Sequence, residues 1–119
     1  MTALALPARS LEAFDIAIVP FPFTDRASSK RRPALVLSSA AFNQPAGHAV
    51  MAMITSAGQF AWPGDSPILD LTSAGLTTTC VIRLKLFTLD ARLVIRTAGK
   101  LGADDQKKLQ RAWQGQLAI

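Results

Sequence analysis

Thr78-Thr-Cys-Val-Ile-Arg-Leu-Lys-Leu-Phe-Thr88 has the clearest strand pattern in this chain. The stretch consists mainly of β-branched and aliphatic residues, which fit the pleated surface of a sheet. Three more apolar stretches, each close to Pro, Gly or Asn residues that favour turns, have the same character: Phe14–Pro20, Pro33–Ser38 and His48–Ser56. The sequence therefore predicts a mainly β fold, with His48–Ser56 as a long central strand.

The segments between these stretches contain the residues typical of turns and loops. Asn43–Gly47 is predicted to be a turn, Gly58–Ser66 a loop, and Pro67–Leu71 a short strand. Asp90–Ala98 is compatible with a short helical turn, with a strand, or with one after the other.

After Gly99 the apolar residues change to helical spacing. Four of them fall on one helix face, namely Leu109, Ala112, Trp113 and Leu117. Two aspartates, Asp104 and Asp105, favour a helix N-terminus just before them. We expect a C-terminal helix over residues 103–118, and a single domain over residues 1–119 with an N-terminal tail over residues 1–12.

Composition excludes several classes of protein. Half of the 119 residues are hydrophobic, which is expected of one small folded domain rather than of a disordered chain. No apolar stretch approaches the roughly 18 residues that span a bilayer, and the N-terminus lacks the early positive charge of a secretory signal. With one cysteine, Cys80, and one histidine, His48, the chain has no internal disulfide and no catalytic pair of histidines. We expect a cytoplasmic domain that does not enter a membrane.

Positive charge is segregated along the chain. Thirteen Lys and Arg residues against eight Asp and Glu residues give a net charge of +5, yet no Lys or Arg lies between Pro33 and Ile82. One basic cluster precedes this window, at residues 26–32, and the other runs from Arg83 to Arg111. Such segregation indicates a polyanionic partner, either a nucleic acid or an acidic protein, although an ordinary charged surface is the alternative.

A basic loop ends at the second predicted strand with Lys30, Arg31 and Arg32. The residue before a proline is restricted to extended backbone, so Arg32 is held in a defined position before Pro33. A guanidinium held in this way can bind a phosphate through two donors. The alternative is that these three residues form a solvated cluster.

Two other stretches carry candidate binding residues. Thr55 and Ser56 end the third strand, where their hydroxyls could bind a phosphate oxygen or cap local backbone. On the strand of residues 78–88, alternation places four side chains on one face, namely Thr79, Val81, Arg83 and Lys85. The two cations could bind a nucleic-acid backbone or form an exposed face. Trp62, in a Gly/Pro loop, could stack on a base or pack against the protein.

Together these stretches resemble the MazF/PemK (Kid) family of toxin endoribonucleases from toxin–antitoxin modules. The resemblance spans residues 14 to about 101 and rests on Asp15-Ile-Ala-Ile-Val-Pro-Phe-Pro-Phe-Thr-Asp25, Lys30-Arg-Arg-Pro-Ala-Leu-Val-Leu-Ser38, Ala40-Ala-Phe-Asn43, Ile54-Thr-Ser-Ala-Gly-Gln-Phe-Ala61, Gly75-Leu76, Val81-Ile-Arg83, Phe87-Thr-Leu-Asp90 and Gly99-Lys-Leu101. It implies a small SH3-like β-barrel with a C-terminal helix that acts as a homodimer. It also implies sequence-specific cleavage of single-stranded RNA without a metal or other cofactor, and inhibition by an acidic antitoxin.

The resemblance further implies roles for individual residues. Arg32 matches the family's arginine at the start of the second strand, and Thr55 matches its catalytic threonine, followed by Ser56 as in relatives. Arg83 matches an arginine assigned to catalysis or RNA binding in the Kid branch. Lys85 occupies the position of a Kid-type carboxylate, and the histidine of the first loop is absent.

Cleavage of RNA by its own 2′-hydroxyl requires a proton acceptor, charge stabilisation at phosphorus, and a proton donor for the leaving 5′-oxygen. Arg32 suits the second role and could serve the third, while Thr55 can orient the phosphate. The proton acceptor is open between Asp25, Asp90 and water. We expect the RNA itself to be bound by a wider set of residues: Asp25, Lys30, Arg31, Ser56, Thr79, Arg83 and Lys85.

Two other functions stay open at this point. A related barrel could poison a protein target, as the gyrase-poisoning CcdB relatives do. Alternatively, the chain could be a non-nucleolytic member that binds RNA or an antitoxin and regulates a promoter with it. The matched Arg32 and Thr55 favour the nuclease.

Overall fold

The computed structural model describes residues 11–21, 30–56 and 61–119, and the structural statements below concern these residues. They form six strands, β1 (Asp15–Phe21), β2 (Lys30–Val36), β3 (His48–Ser56), β4 (Ser66–Pro67), β5 (Cys80–Asp90) and β6 (Arg96–Lys100). They also form three α-helices and one 3₁₀ turn: α1 (Ala40–Ala46), α2 (Leu71–Ala74), α3 (Ala103–Trp113) and the turn Ala91–Leu93.

The strands form one antiparallel half-barrel sheet in the order β4-β5-β3-β2-β1-β6. β3 lies inside the sheet between β2 and β5, and the C-terminal strand β6 returns to pair with β1 at the opposite edge from β4. The predicted mainly β fold with a C-terminal helix is confirmed.

Apolar side chains are buried on both faces of this sheet. One face, which we call the Met51 face, carries Ala17, Val19, Ala34, Val36, Ala49 and Met51. The other, which we call the Ile54 face, carries Ile16, Leu35, Ala52, Ile54 and Ile82, and is covered in part by Leu109 of α3. Because successive residues of a strand point to opposite faces, the near-continuous apolar runs of the sequence supply both clusters.

The predicted turn at Asn43–Gly47 is wrong, because helix α1 occupies most of it. The Ser39 side chain caps the helix by accepting from the backbone N–H of Phe42, and Gly47, with φ of 66°, ends it. The Asn43 side chain is fully buried, where its amide donates to the Leu11 carbonyl at 3.0 Å and the Ser38 carbonyl at 3.1 Å. A residue that favours turns is therefore held in a helix by tertiary hydrogen bonds.

The predicted strand over Pro67–Leu71 is largely wrong as well. Ser66 and Pro67 pair with β5 and the Ile68 N–H donates to the Cys80 carbonyl at 3.1 Å, but the pairing ends there and α2 begins at Leu71. The reason is Asp105 of α3, whose carboxylate accepts from the backbone N–H groups of Leu69 at 3.0 Å and Asp70 at 2.9 Å. Those two N–H groups are then unavailable to a strand ladder.

The other boundaries differ less. β3 has the predicted bounds, whereas β2 begins three residues early at Lys30 and ends at Val36. The segment after Asp90 contains both predicted elements in succession, the 3₁₀ turn and then β6. Helix α3 ends at Trp113 rather than at residue 118, because Gln114 has extended backbone and Gly115 has a φ of 83°. Residues 1–10 of the predicted tail lie outside the described part, and Leu11 is fully buried.

Gly75 allows α2 to pack closely against β6. Its φ is 73°, and a Cβ at this position would overlap the backbone carbonyl of Ala98. This contact brings the segment that follows, residues 76–79, beside the central strands.

We predict that Asp105→Ala destabilises the fold by about 1–3 kcal/mol, because two backbone N–H groups lose their shared acceptor. Urea unfolding monitored by circular dichroism measures the change. Asp104→Ala is the matched control, since Asp104 is exposed in the same helical turn and should cost less than about 1 kcal/mol. Equal losses in the two variants would contradict this role for Asp105.

Candidate functional site

A cavity of about 290 Å³ opens where β2 begins and β3 ends. Its walls come from these two strands, from the segment before β5, and from β1 and β6. The polar residues that line it carry hydroxyls or positive charge: Arg32, Thr55, Ser56, Thr77, Thr78, Thr79 and Arg96. No Asp or Glu of the described residues lines it. The cavity is therefore suited to an anionic group with many oxygen acceptors.

Strand pairing brings Arg32 and Thr55 together although they lie far apart in the sequence. Ala34 of β2 is paired with Met53 of β3. Arg32 lies two residues before Ala34, and Thr55 lies two residues after Met53. Because the strands are antiparallel, these two steps lead in the same direction, to the same end of the sheet. Four predicted site residues thus border one cavity, namely Arg32, Thr55, Ser56 and Thr79.

The Arg32 side chain is partly buried and packs on an aromatic ring. Its guanidinium carbon lies 5.6 Å from the centroid of the Phe21 ring, a cation–π contact that orients the group. Its Nε is buried, and among the described residues it has no hydrogen-bond partner. A buried donor without an acceptor costs free energy, so this N–H is a polar group that the described residues leave unsatisfied.

Lys30 and Arg31 lie outside the cavity. Both are exposed, and they belong to β2 itself, paired with Phe21 and Pro20 of β1. They extend the positive charge of Arg32 along the edge of the site without lining it. Asp25 and the rest of the loop at residues 22–29 lie outside the described residues.

Arg83 and Lys85 do not line the cavity and lie on β5, on the far side of β3 from Arg32. Arg83 binds the Asp65 carboxylate through Nε at 3.1 Å and Nη2 at 2.9 Å. This pairing holds the pKa of Asp65 below its usual value and raises the pKa of Arg83. Arg83 is thus an anchored, mostly buried cation, whereas Lys85 is exposed.

A β-bulge reshapes β5 at this point. Met53 is paired with Arg83, but the preceding residue Ala52 is paired with Leu86, so Leu84 and Lys85 bulge out of the ladder. Both cations nevertheless lie at the Trp62 ring, at 5.6 Å for Arg83 and 5.3 Å for Lys85. The prediction that they share one side of the strand agrees with this contact. Thr79 precedes β5 and reaches the site from the adjoining loop.

The structure excludes Asp90 as the proton acceptor of this site. Asp90 is the last residue of β5 and is paired with His48 at the start of β3, the opposite end of the sheet from Thr55. Its carboxylate binds Arg92 at 2.7 Å, which together with the Arg92 backbone N–H lowers its pKa from 3.8 to about 2. Asp25 and water are left from the sequence-based candidates.

Arg96 is a cavity residue that sequence reasoning missed. It lies on the edge strand β6, paired with Ile18 of β1. The pairing joins residues almost eighty positions apart, so no local pattern signalled it. The basic character of the C-terminal half was the one available hint.

The remaining chemistry-bearing residues lie in other surroundings. Cys80 is buried at the cavity wall, and its burial raises the pKa of the thiol. Within residues 11–21, 30–56 and 61–119, no group of three or more His, Cys, Asp or Glu side chains is placed to hold a metal. None of the helices described here is long and apolar enough to cross a membrane.

The Asp90–Arg92 pair predicts a pH dependence of stability. Because the pKa of Asp90 is lower in the folded state, its stabilising effect is complete above about pH 4 and is lost as the pH falls toward 2. We expect Asp90→Asn to lower the free energy of unfolding by about 1 kcal/mol or less at pH 7, and to have a diminishing effect below pH 4. Urea unfolding across this pH range measures it. A difference that does not change with pH would contradict the assignment.

Comparison with known proteins agrees with this geometry. The family described as PemK-like, MazF-like toxins of type II toxin–antitoxin systems matches residues 12–117. Among solved structures, a MazE–MazF crystal structure from Deinococcus radiodurans is 23% identical, with a TM-score of 0.71 over 92% of this chain and 97% of that one. A mycobacterial endoribonuclease in complex with its cognate antitoxin is 16% identical, with a TM-score of 0.72 over 92% of this chain and 96% of that one.

The comparison with curated protein sequences found no match to this chain. The structural similarities show that the fold is the one seen in those toxins. The family match covers nearly the whole chain, including both strands that carry Arg32 and Thr55. The chain therefore belongs to the PemK-like and MazF-like toxins of type II toxin–antitoxin systems.

Proposed function

We propose that this protein is an endoribonuclease that cleaves single-stranded RNA through attack of the RNA's own 2′-hydroxyl. The observation that carries the proposal is the cavity in which Arg32, Thr55, Ser56 and Arg96 meet. It offers hydroxyl and guanidinium donors, and among the described residues it has no lining carboxylate that would repel a phosphate.

In the proposed reaction the 2′-oxygen forms a bond to phosphorus, and the bond from phosphorus to the 5′-oxygen breaks. Arg32 donates to the phosphate oxygens, where negative charge increases in the transition state, and can supply a proton-donating N–H toward the leaving oxygen. Thr55 and Ser56 donate hydroxyl hydrogen bonds that orient the phosphate for in-line attack. The 2′-hydroxyl proton goes to Asp25 or to water. The products are a 2′,3′-cyclic phosphate, or the 3′-phosphate from its hydrolysis, and a 5′-hydroxyl.

Similar proteins support the proposed partners. One of the structural neighbours is an endoribonuclease with its cognate antitoxin, and another is a MazE–MazF complex. We propose that this chain likewise forms a homodimer and binds an acidic antitoxin, with which it would also bind DNA. Exposed cations at the rim, Lys30, Arg31 and Lys85, would attract both the antitoxin and RNA. The proposed substrate places the reaction in the cytoplasm.

We predict that Arg32→Ala lowers the rate of RNA cleavage at least 100-fold, the usual cost of losing a donor to developing negative charge. Purified protein is incubated with mixed-sequence single-stranded RNA in EDTA, and the fragment ends are identified by mass spectrometry. Arg92→Ala is the matched control, because Arg92 is exposed at the opposite end of the sheet and should leave the rate unchanged.

Two outcomes of that assay would contradict the proposal. Full cleavage by Arg32→Ala would remove Arg32 from the catalytic site. Intact RNA with folded wild-type protein, across several RNA sequences, would favour a non-nucleolytic role in binding RNA or antitoxin, or the poisoning of a protein target.

We also predict that Arg96 binds the RNA backbone. Arg96→Ala should weaken binding to a 2′-O-methyl oligonucleotide, which cannot be cleaved, and should reduce the slope of log K against log salt by about one. Fluorescence anisotropy at several salt concentrations measures both quantities. Arg111→Ala, which removes an exposed arginine of α3, is the control and should leave the slope unchanged. An unaltered slope in Arg96→Ala would exclude this contact.

A further inference from the structure

Trp62 combines an exposed ring with a fixed position. Its side chain is 41% exposed, and its indole N–H donates to the backbone carbonyl of Leu84 at 3.3 Å. The backbone N–H of Trp62 donates to the Asp65 carboxylate at 3.2 Å. The ring is therefore held at the protein surface rather than inserted into either apolar cluster.

Two cations lie against this ring. The guanidinium carbon of Arg83 is 5.6 Å and the Lys85 Nζ is 5.3 Å from the ring centroid. Arg83 is anchored by its two hydrogen bonds to Asp65, whereas the Lys85 ammonium has no ion-pair partner within the described part of the chain. The arrangement thus combines an aromatic surface, one fixed cation, and one exposed cation that can pair with an anion.

Strand register relates this cluster to Thr55 at the cavity, although none of its three residues lines the cavity. Residues paired directly across antiparallel strands point to the same face, and Arg83 is paired with Met53, as Val81 is with Thr55. Arg83 therefore lies on the same face as Thr55, as its diagonal neighbour on the adjacent strand at a typical separation of about 7–8 Å. A nucleic-acid strand whose phosphate lies at Thr55 could place a neighbouring nucleotide at Trp62.

We infer that Trp62, with Arg83 and Lys85, forms a stacking subsite for a nucleobase of the RNA next to the cleaved phosphate; this inference rests on the proposed ribonuclease function. The Trp62 ring stacks on the base, and Lys85 pairs with an adjacent phosphate. Stacking on an aromatic ring combined with phosphate pairing is how proteins hold single-stranded nucleic acid with little sequence preference. Arg83 acts mainly by helping to hold Trp62 in place, because both residues are hydrogen-bonded to the Asp65 carboxylate.

Binding of 2′-O-methyl oligonucleotides to wild-type protein, Trp62→Ala and Trp62→Phe tests the subsite. We expect Trp62→Ala to raise the Kd about tenfold and Trp62→Phe to restore most of the affinity, because a phenyl ring also stacks. Phe42→Ala is the matched control. Phe42 is also an exposed aromatic, 46% exposed, but it lies on α1 at the other end of the sheet and should not affect the Kd.

An abasic scan distinguishes stacking from a structural role. In a set of oligonucleotides that each lack one base, there should be one position at which wild-type protein and Trp62→Ala bind equally. Equal Kd values for wild type and Trp62→Ala on the intact oligonucleotide would overturn the subsite, and so would a tenfold loss that persists at every abasic position. If the wild type cleaves RNA in EDTA while either result is found, only the subsite fails. If the folded wild type neither binds nor cleaves RNA, the proposed function fails and the subsite fails with it.

Discussion

The pairing of β3 with both β2 and β5 is the constraint on which the rest of the structure depends. β3 joins the two parts of the sheet, since β2, β1 and β6 lie on one side of it and β5 and β4 on the other. Its register with β2 brings Thr55 to Arg32, and its register with β5 brings Thr55 opposite Val81. A slip of one residue would turn Thr55 to the opposite face and separate it from both.

Two buried polar side chains in the described part of the chain support the fold. Asn43 and Asp105 are almost completely buried, and each binds backbone groups distant in sequence, which ties α1 to Leu11 and α3 to the segment before α2. The buried Nε of Arg32 has no such partner among the described residues. The rule that a buried polar group needs a hydrogen-bond partner explains the structural role of Asn43 and Asp105, and by the same rule the Arg32 Nε is an unsatisfied donor.

The strong strand patterns could be predicted because their period is a local property. β3 has the predicted bounds, and the predicted C-terminal helix exists, although Gln114 and Gly115 end it early. The incorrect predictions, at Asn43–Gly47 and Pro67–Leu71, have a different cause. α1 depends on the hydrogen bond that Asn43 donates to the Leu11 carbonyl, and the segment before α2 depends on those that the Asp105 carboxylate accepts. These partners are more than thirty positions away, and turn or strand propensity contains no information about them.

For the site, the sequence by itself determined which chemical groups are available. These are the Arg32 guanidinium before Pro33, the hydroxyls of Thr55 and Ser56 at a strand end, and the basic residues of the C-terminal part of the chain. It also carried the family resemblance that the family match confirms. Only the tertiary structure decided which groups meet. Arg96 lines the cavity, and Asp90 lies at the far end of the sheet. Arg83 is paired with Asp65, and both Arg83 and Lys85 contact the Trp62 ring. The physical reason is that strand register and edge pairing join distant residues, so proximity depends on the whole sheet rather than on any local pattern.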